Sequence, residues 1–268
     1  MDGFILTVST VTPVILNRWL TLDAILDGVM EAGGVPASER VLPLCSWDGS
    51  SVLPPMTAEA ARAAGSVFLA SAAIVGDSLV EVTPRLSEDR IGRAAVPQPA
   101  VSTVTFKGGI NPVRQFTDGD FPFEGRARQF RTASGQASGV LRSYRAIQPG
   151  AFEWLFTGDP DGVLSIMSDA IGIGAKVRSG FGEIAPDGCS VEAVSGAPAL
   201  MGMFDEGGRR LMRPIPRDLA VPSGANDARL KVETVRPPYW DRSGEIAALV
   251  PDTAYDSLLT RTASGDMS

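Results

Sequence analysis

The chain has 268 residues, two cysteines, no histidine and a formal net charge of −7 at pH 7. This length predicts one large domain or two small ones, and a hydrophobic content of 44% predicts a packed core. A sequence without histidine excludes Ser-His-Asp and Cys-His triads and histidine-ligated metal sites. Two cysteines are too few for an all-cysteine zinc site.

The hydrophobic pattern indicates a protein of the cytoplasm. The N-terminal residues run directly into a strand-like alternation and lack the charged-then-apolar order of a secretory signal. The longest apolar stretches, such as residues 67–75, are far shorter than the ~20 residues that span a bilayer. We therefore expect a cytoplasmic protein with no membrane partner.

Regular elements are predicted along the first part of the chain. Residues 4–10 alternate as a buried strand does, with Phe4, Leu6 and Val8 on one face. Residues 20–30 have apolar side chains at helical spacing, with Thr21 or Asp23 as a cap, and glycines at 33 and 34 end the helix. Residues 66–75 are predicted to form a second apolar strand.

The middle of the chain, residues 84–150, is rich in proline, glycine and arginine. We predict strands at 101–106 and 140–146 inside it, and interpret the whole as a long insertion or hairpin rather than a second globular domain. Residues 107–145 carry seven basic and three acidic side chains, a net charge of +4, on a chain that is acidic overall. Such a segment is typical of a polyanion site; the alternative is a solvated loop with scattered arginines.

Regular strands and a helix are predicted again after residue 150. We predict a strand at 152–156, a helix at 163–171 with Asp161 as its cap, and a short strand at 181–184. The resulting β-α-β … β-α-β order predicts an α+β, ferredoxin-like (RRM-like) fold with an inserted hairpin. Its predicted parts are residues 1–83 and 151–242 for the main domain, 84–150 for the insertion and 243–268 for an acidic C-terminal tail.

A glycine-rich loop, GIGAKVRSGFG, occupies residues 172–182. Glycine permits positive φ and a close approach of backbone amides to a ligand, so the amides together with Lys176 and Arg178 could meet a phosphate chain. The loop is neither a Walker A motif nor a dinucleotide fingerprint, because the spacing and the order of helix and strand are both wrong. The alternative is a helix C-cap followed by a tight turn. The glycines are Gly172, Gly174, Gly180 and Gly182.

The loop resembles the signature of the RAMP superfamily of CRISPR-associated proteins. That signature is Gly-hydrophobic-Gly, five residues containing Lys or Arg, then Gly-x-Gly, and every one of these positions matches here. The N-terminal sequence FILTVSTVTPVIL followed by LTLDAILDGV is similar to the opening of the type IV RAMP subunits that cap the guide. The motifs RPIP at 213–216 and PPYW at 237–240 fit more loosely.

The resemblance implies a non-catalytic subunit of a type IV CRISPR ribonucleoprotein complex that acts in antiviral defence. Such a subunit binds the 5′ handle of the guide (CRISPR) RNA, contacts the backbone RAMP subunit, and has the large subunit of the effector complex as a further candidate partner. An inserted hairpin, or thumb, commonly reaches the neighbouring subunit. The candidate RNA-binding residues are Gly172, Gly174, Lys176, Arg178, Gly180, Gly182, Lys107, Arg114, Arg126, Arg128, Arg131 and Arg142.

Two other functions remain open at this point. A guide-RNA-processing endoribonuclease would need a base other than histidine, for which Tyr144 or Lys176 are candidates. A protein-only structural adaptor would use the glycine-rich loop for protein contacts alone. The pairs Asp118/Asp120 and Asp159/Asp161 lie in turn sequences and are interpreted as turns. We expect no cofactor and no metal site.

Overall fold

The computed structural model describes residues 2–15, 19–75, 100–108, 140–148, 151–205, 211–219, 228–237, 239 and 244–251. The chain divides into two compact units, one formed by Met1–Ala100 with Ile147–Ser268 and the other by Val101–Ala146. The helices are α1 (Leu22–Ala32), α2 (Ala58–Ala63) and α3 (Pro160–Ser168). In chain order the strands are β1 (Gly3–Thr10), β2 (Val14–Ile15), β3 (Val41–Leu42), β4 (Ser46–Trp47), β5 (Val52–Leu53), β6 (Met56–Thr57), β7 (Val67–Phe68), β8 (Ile74–Val75), β9 (Ala100–Gly108), β10 (Val140–Gln148), β11 (Phe152–Thr157), β12 (Ile184–Val194), β13 (Ile215–Pro216), β14 (Arg229–Thr234) and β15 (Glu245–Val250).

The largest sheet of the first unit has four strands in the order β12-β1-β11-β8. Its neighbouring strands are all antiparallel. Leu6 lies opposite Trp154 and Val8 opposite Phe152, so large apolar side chains from the two central strands share one face. The mixture of helices with mostly antiparallel sheets confirms the predicted α+β class.

The main hydrophobic core lies between this face and two helices. Leu6 and Val8 of β1 are fully buried, and so are Leu22 and Leu26 of α1. Helix α3 contributes Val163 to the same cluster. Each fully buried leucine contributes about 1.5–3 kcal/mol relative to an exposed one. The alternation predicted for β1 and the helical spacing predicted for α1 are therefore confirmed.

A second, smaller core packs elsewhere in this unit. Its buried residues come from β7, from the segment around Met203 and Phe204, and from β13. A three-stranded sheet of order β13-β15-β14 lies beside it. Two smaller sheets are also present: one pairs β3 with β6, and the other has the strand order β5-β4-β7. Leu249 of β15 and Trp47 of β4 pack against this core.

The segment at 66–75 differs from its prediction, because it does not form one continuous strand. Only β7 and β8 are regular, and the buried residues between them bond to several separate parts of the chain. The Leu69 amide donates to the Cys45 carbonyl, that of Ser71 to Leu155, and that of Ala73 to Leu20. The segment is hydrophobic because it is buried between several parts of the chain. It does not form a single continuous strand that pairs with one neighbour.

Helix α3 also begins earlier than predicted. Pro160 occupies its first turn, and the Asp159 carboxylate caps it by accepting a hydrogen bond of 3.1 Å from the Asp161 amide. Proline is favoured at the first helical position because its missing N–H would have no partner there. The predicted cap, Asp161, is therefore the donor in this interaction, and the helix ends at Ser168.

The second unit contains most of β9 and β10, which are neighbours in one sheet. Both predicted strands, at 101–106 and 140–146, are confirmed and are slightly longer than expected. Residues 109–139 lie outside the described part of the chain. The predicted insertion bounds of 84 and 150, and the tail from 243, stay predictions.

Candidate nucleic-acid interface

The glycine-rich loop connects α3 to β12, in the order that the sequence predicts. Its two ends pair with each other, since the Ile173 amide donates to the Gly182 carbonyl at 2.9 Å and Gly172 bridges to Glu183. The strand predicted at 181–184 begins only at Ile184. The reason is that Gly182 adopts a φ of +66°, which interrupts regular strand geometry.

Residues 11–15, which follow β1, hold the loop in place. The Gly182 amide donates to the Pro13 carbonyl and the Ala175 amide to the Ile15 carbonyl, both at 2.9 Å. The Glu183 amide donates to the Thr12 hydroxyl at 2.8 Å. The loop is thus hydrogen-bonded at Ala175, Gly182 and Glu183 to the segment that directly follows β1.

Within the loop, residues 177–179 form a 3-10 turn. The Ser179 amide donates to the Lys176 carbonyl at 2.8 Å, and the Gly180 amide donates to Val177 at 2.9 Å. Six amides between residues 172 and 183 therefore have partners inside the protein: Ile173, Ala175, Ser179, Gly180, Gly182 and Glu183. These six amides therefore cannot serve a ligand in the way that the amides of a phosphate loop do.

The glycines serve two different purposes. A Cβ at Gly182 would collide with the Ile173 carbonyl oxygen, and one at Gly174 would lie 2.6 Å from Val14 Cγ1. A Cβ at Gly172 would lie 2.7 Å from the Gly182 carbonyl oxygen. Gly180, in contrast, has open space around it and a φ of +83°, so only its backbone conformation requires glycine. Three of the glycines therefore allow close packing.

Lys176 and Arg178 are the exposed cations of this loop. Lys176 has a φ of 64°, in the left-handed region that non-glycine residues seldom adopt. Such a conformation costs of order 1–3 kcal/mol and is often retained where function requires it. The loop therefore presents two positive side chains from a backbone whose shape is set by glycines and by residues 11–15.

The other predicted site residues lie partly beyond the described residues. Lys107 is in β9 and Arg142 is in β10, both within the second unit. Arg114, Arg126, Arg128 and Arg131 lie outside the described part of the chain. The structure thus brings together Gly172, Gly174, Lys176, Arg178, Gly180 and Gly182 as one loop.

Comparison with known proteins adds no assignment. No protein-family model matches the chain, and no curated protein matches its sequence. Among the described residues, no group of three His, Cys, Asp or Glu side chains is placed to hold a metal ion. In the same part of the chain, no helix has the length and hydrophobicity needed to cross a membrane.

A buried polar cluster centred on Arg213 is absent from the sequence prediction. Arg213 belongs to the RPIP motif and is completely buried. Its Nη2 donates to Asp23 Oδ2 at 3.1 Å, to the Tyr239 hydroxyl at 2.7 Å and to the Val235 carbonyl at 3.0 Å. Its Nη1 donates to the carbonyls of Phe68 and Ala70. The Tyr239 hydroxyl donates to Asp23 Oδ2 at 2.7 Å.

This cluster stabilises the fold by joining distant parts of the chain. Burial works against the charge of Arg213, yet Asp23 and Tyr239 beside it raise its pKa above the usual value. The guanidinium thus remains charged while it links Asp23 at the start of α1 to the chain at and after β7 and to Val235 and Tyr239. An arginine directly before a proline suggests a turn in the sequence, and nothing local indicates that Arg213 is buried against Asp23 and Tyr239.

Proposed function

We propose that the chain is a non-catalytic RNA-binding subunit of a type IV CRISPR effector ribonucleoprotein. In this proposal it binds the 5′ handle of the guide RNA and caps the filament of backbone RAMP subunits in the cytoplasm. The observation that carries the proposal is the presentation of exposed Lys176 and Arg178 by a loop that matches the RAMP signature and is hydrogen-bonded to residues 11–15.

The sheet order supports a ferredoxin-like fold for the main unit. If β1, β8, β11 and β12 are counted as the four strands of a β-α-β-β-α-β unit, their order is 4-1-3-2 and their neighbours are antiparallel. α1 follows the first of these strands and α3 follows the third. This order of strands and helices supports the split β-α-β topology of ferredoxin-like domains.

The loop chemistry favours phosphate contacts made by side chains. Half of the twelve amides between residues 172 and 183 bond within the protein, and the loop carries the Lys176 ammonium and the Arg178 guanidinium at exposed positions. Both groups bind phosphate, the arginine with a planar multi-donor fork. RNA held in this way should bind more weakly as salt increases, because each neutralised phosphate releases counterions.

The proposal also assigns RNA contacts to the basic segment. We include Lys107 and Arg142, which lie on β9 and β10, together with Arg114, Arg126, Arg128 and Arg131. In the proposal this segment acts as the thumb that meets the guide RNA, the neighbouring backbone subunit and the large subunit. Charge reversal at 126, 128 and 131 should then weaken RNA retention, and unchanged retention would remove the segment from the site.

The test is co-expression with the neighbouring genes and a guide array, followed by purification through a tag on this chain and sequencing of the bound nucleic acid. We expect one discrete RNA with a defined 5′ end. The double variant Lys176→Asn, Arg178→Asn should lose it, since asparagine tolerates the left-handed backbone at 176 while the charges are removed. Lys176→Gly with Arg178 intact should retain part of the RNA.

A matched control is Arg217→Asn. Arg217 is exposed and follows β13, beside the second core. This variant removes the same kind of charge outside the loop and should retain the RNA fully. Equal loss in Arg217→Asn and in the double variant would show that overall charge, rather than the loop, governs RNA binding.

The internal use of the loop amides also favours a second candidate, the protein-only adaptor. Close packing at Gly172, Gly174 and Gly182 explains those glycines without any ligand. An adaptor would be purified with its protein partners but free of RNA. Partner retention that is insensitive to ribonuclease and to the Lys176/Arg178 double variant would favour it over guide capping.

A further inference from the structure

Three arginines converge on the short segment that follows β14. The Val235 carbonyl accepts a hydrogen bond of 3.0 Å from Arg213 Nη2, and the Pro237 carbonyl accepts one of 3.0 Å from Arg62 Nη2. Arg236 lies between these two carbonyls in the sequence. One short segment therefore brings three guanidinium groups together, although the arginines come from α2, from the chain just before β13 and from the segment itself.

The side chain of Arg236 is fixed by the chain that follows α2. Its Nε donates to the Ser66 carbonyl at 2.6 Å, and its Nη2 donates to the Gly65 carbonyl. Arg62, in the last turn of α2, donates in return to Pro237. These bonds set the positions of both guanidinium groups but supply no full negative charge, because every acceptor is a carbonyl oxygen.

The positive charge of this group exceeds the negative charge that accompanies it. In the part of the chain that the structure describes, Arg213 forms an ion pair with Asp23, whereas neither Arg62 nor Arg236 takes part in one. Three guanidinium groups and one carboxylate leave a net charge of +2. Burial and the positive charges of Arg213 and Arg62 lower the pKa of Arg236, so these cations repel one another at close range. A bound anion would relieve this repulsion.

Two of the three arginines can be reached from solvent. Arg213 is completely buried, whereas Arg62 is exposed and Arg236 is half-buried. A guanidinium group has five N–H donors. Within the described residues, Arg236 uses Nε and Nη2, and Arg62 uses Nη2. Nη1 of Arg236 and both Nε and Nη1 of Arg62 are therefore left to donate to a ligand.

We infer that Arg62 and Arg236 form a binding site for a phosphate group at the C-terminal end of α2. Guanidinium groups bind phosphate through several N–H donors at once, with a geometry that matches its oxygens. The phosphate belongs either to a small phosphorylated molecule or to the backbone of a nucleic acid, and the tests below distinguish these sources. The inference is independent of the proposed guide binding at the glycine-rich loop, because it uses neither Lys176 nor Arg178.

The first test is a calorimetric titration of the full chain with inorganic phosphate, against sodium chloride of equal ionic strength. Wild type should show saturable binding of phosphate. Arg62→Gln should weaken this binding about tenfold or more, because charged hydrogen-bond donors are lost. Arg62→Lys should lose less, since the charge is kept. The matched control is Arg217→Gln, at an exposed position just after β13, which should bind phosphate as wild type does.

The second test locates the phosphate without relying on a variant of the site. In a chain labelled with nitrogen-15 arginine, the Nε–H resonances of Arg62 and Arg236 should shift as phosphate is added, and that of Arg217 should not. The same titration in the Lys176→Asn, Arg178→Asn variant should give the same shifts. Failure of guide binding at the loop would therefore leave this result unchanged.

A fluorescent uridine oligonucleotide identifies the source of the phosphate. If Arg62→Gln weakens binding of this probe as much as it weakens binding of inorganic phosphate, the site takes a nucleic-acid phosphate. If it weakens binding of inorganic phosphate alone, the site takes a small phosphorylated molecule.

Three results would overturn the inference. They are the absence of saturable phosphate binding, Nε–H resonances of Arg62 and Arg236 that do not move with phosphate, and equal weakening by Arg62→Gln and Arg217→Gln. In each case the two arginines would serve only to join the end of α2 to the segment after β14.

Discussion

Arg213 and Asp23 are 190 positions apart in the sequence and form an ion pair in the protein interior, with Nη2 3.1 Å from Oδ2. Neither side chain has any solvent exposure. The pair connects the first turn of α1 to the chain that leads into β13, so the main core and the C-terminal sheet are stabilised together. Tyr239 completes it by donating to the same Asp23 oxygen.

Removing one partner of this pair should strongly destabilise the protein. We expect Arg213→Met to lower the free energy of unfolding by about 3–5 kcal/mol, because it leaves the Asp23 carboxylate buried without its counter-ion. The double variant Arg213→Met, Asp23→Asn should lose less than the single one, since no buried charge is left unpaired. Urea unfolding followed by circular dichroism measures both, and a single-variant loss below ~1 kcal/mol would contradict the structure.

Tyr239 should make the protein sensitive to alkaline pH. Burial raises the pKa of Tyr239 above its usual value of 10.0; Asp23 adds to this and Arg213 opposes it. A group whose pKa is raised by folding contributes stability below its unfolded pKa and loses it as pH rises further. The free energy of unfolding should therefore fall above pH 10, by up to about 1.4 kcal/mol per pH unit.

Tyr239→Phe is the control for this pH dependence. It should be less stable than wild type at pH 8, because Asp23 and Arg213 both lose a hydrogen-bond partner. Its stability should then decline less steeply between pH 10 and 11.5. If the free energy of unfolding falls with pH at the same rate in both proteins over that range, ionisation of Tyr239 does not cause the loss of stability at alkaline pH.

Two glycines of the loop should respond very differently to alanine. Gly182→Ala should cost more than ~2 kcal/mol, because the added Cβ collides with the Ile173 carbonyl oxygen and the backbone is left-handed. Gly180→Ala should cost only about 1 kcal/mol, since its surroundings are open and the backbone preference alone is lost. Thermal unfolding compares the two, and equal losses would mean that packing against Ile173 is unimportant.

The start of α3 allows a direct test of which aspartate acts as the cap. Asp159→Ala should lower the free energy of unfolding by about 1 kcal/mol, because its carboxylate accepts the Asp161 amide. Asp161→Ala should cost less, since only its favourable interaction with the helix dipole is lost. If Asp161→Ala is the more costly of the two in a urea titration, the cap is placed wrongly.

Patterns carried by adjacent residues were predicted well from the sequence. The strand at β1, the helix at α1 and the strand at β11 each show their periodicity within a dozen residues, and each is confirmed. Elements with less local information were misplaced. The helix α3 begins where Pro160 permits it, and residues 66–75 break into two short strands because their amides bond to several distant segments.

The sequence by itself determined the α+β class, strands β1, β9, β10 and β11, helix α1, and the position of the glycine-rich loop with Lys176 and Arg178. Three features were decided by the tertiary structure alone. They are the order of neighbouring strands, the hydrogen bonds from loop amides to residues 11–15, and the burial of Arg213 against Asp23 and Tyr239. The physical reason is the range of the interaction. Backbone periodicity repeats within a few residues, whereas a buried ion pair or a packed glycine depends on groups that are far apart in sequence and leave no periodic signal.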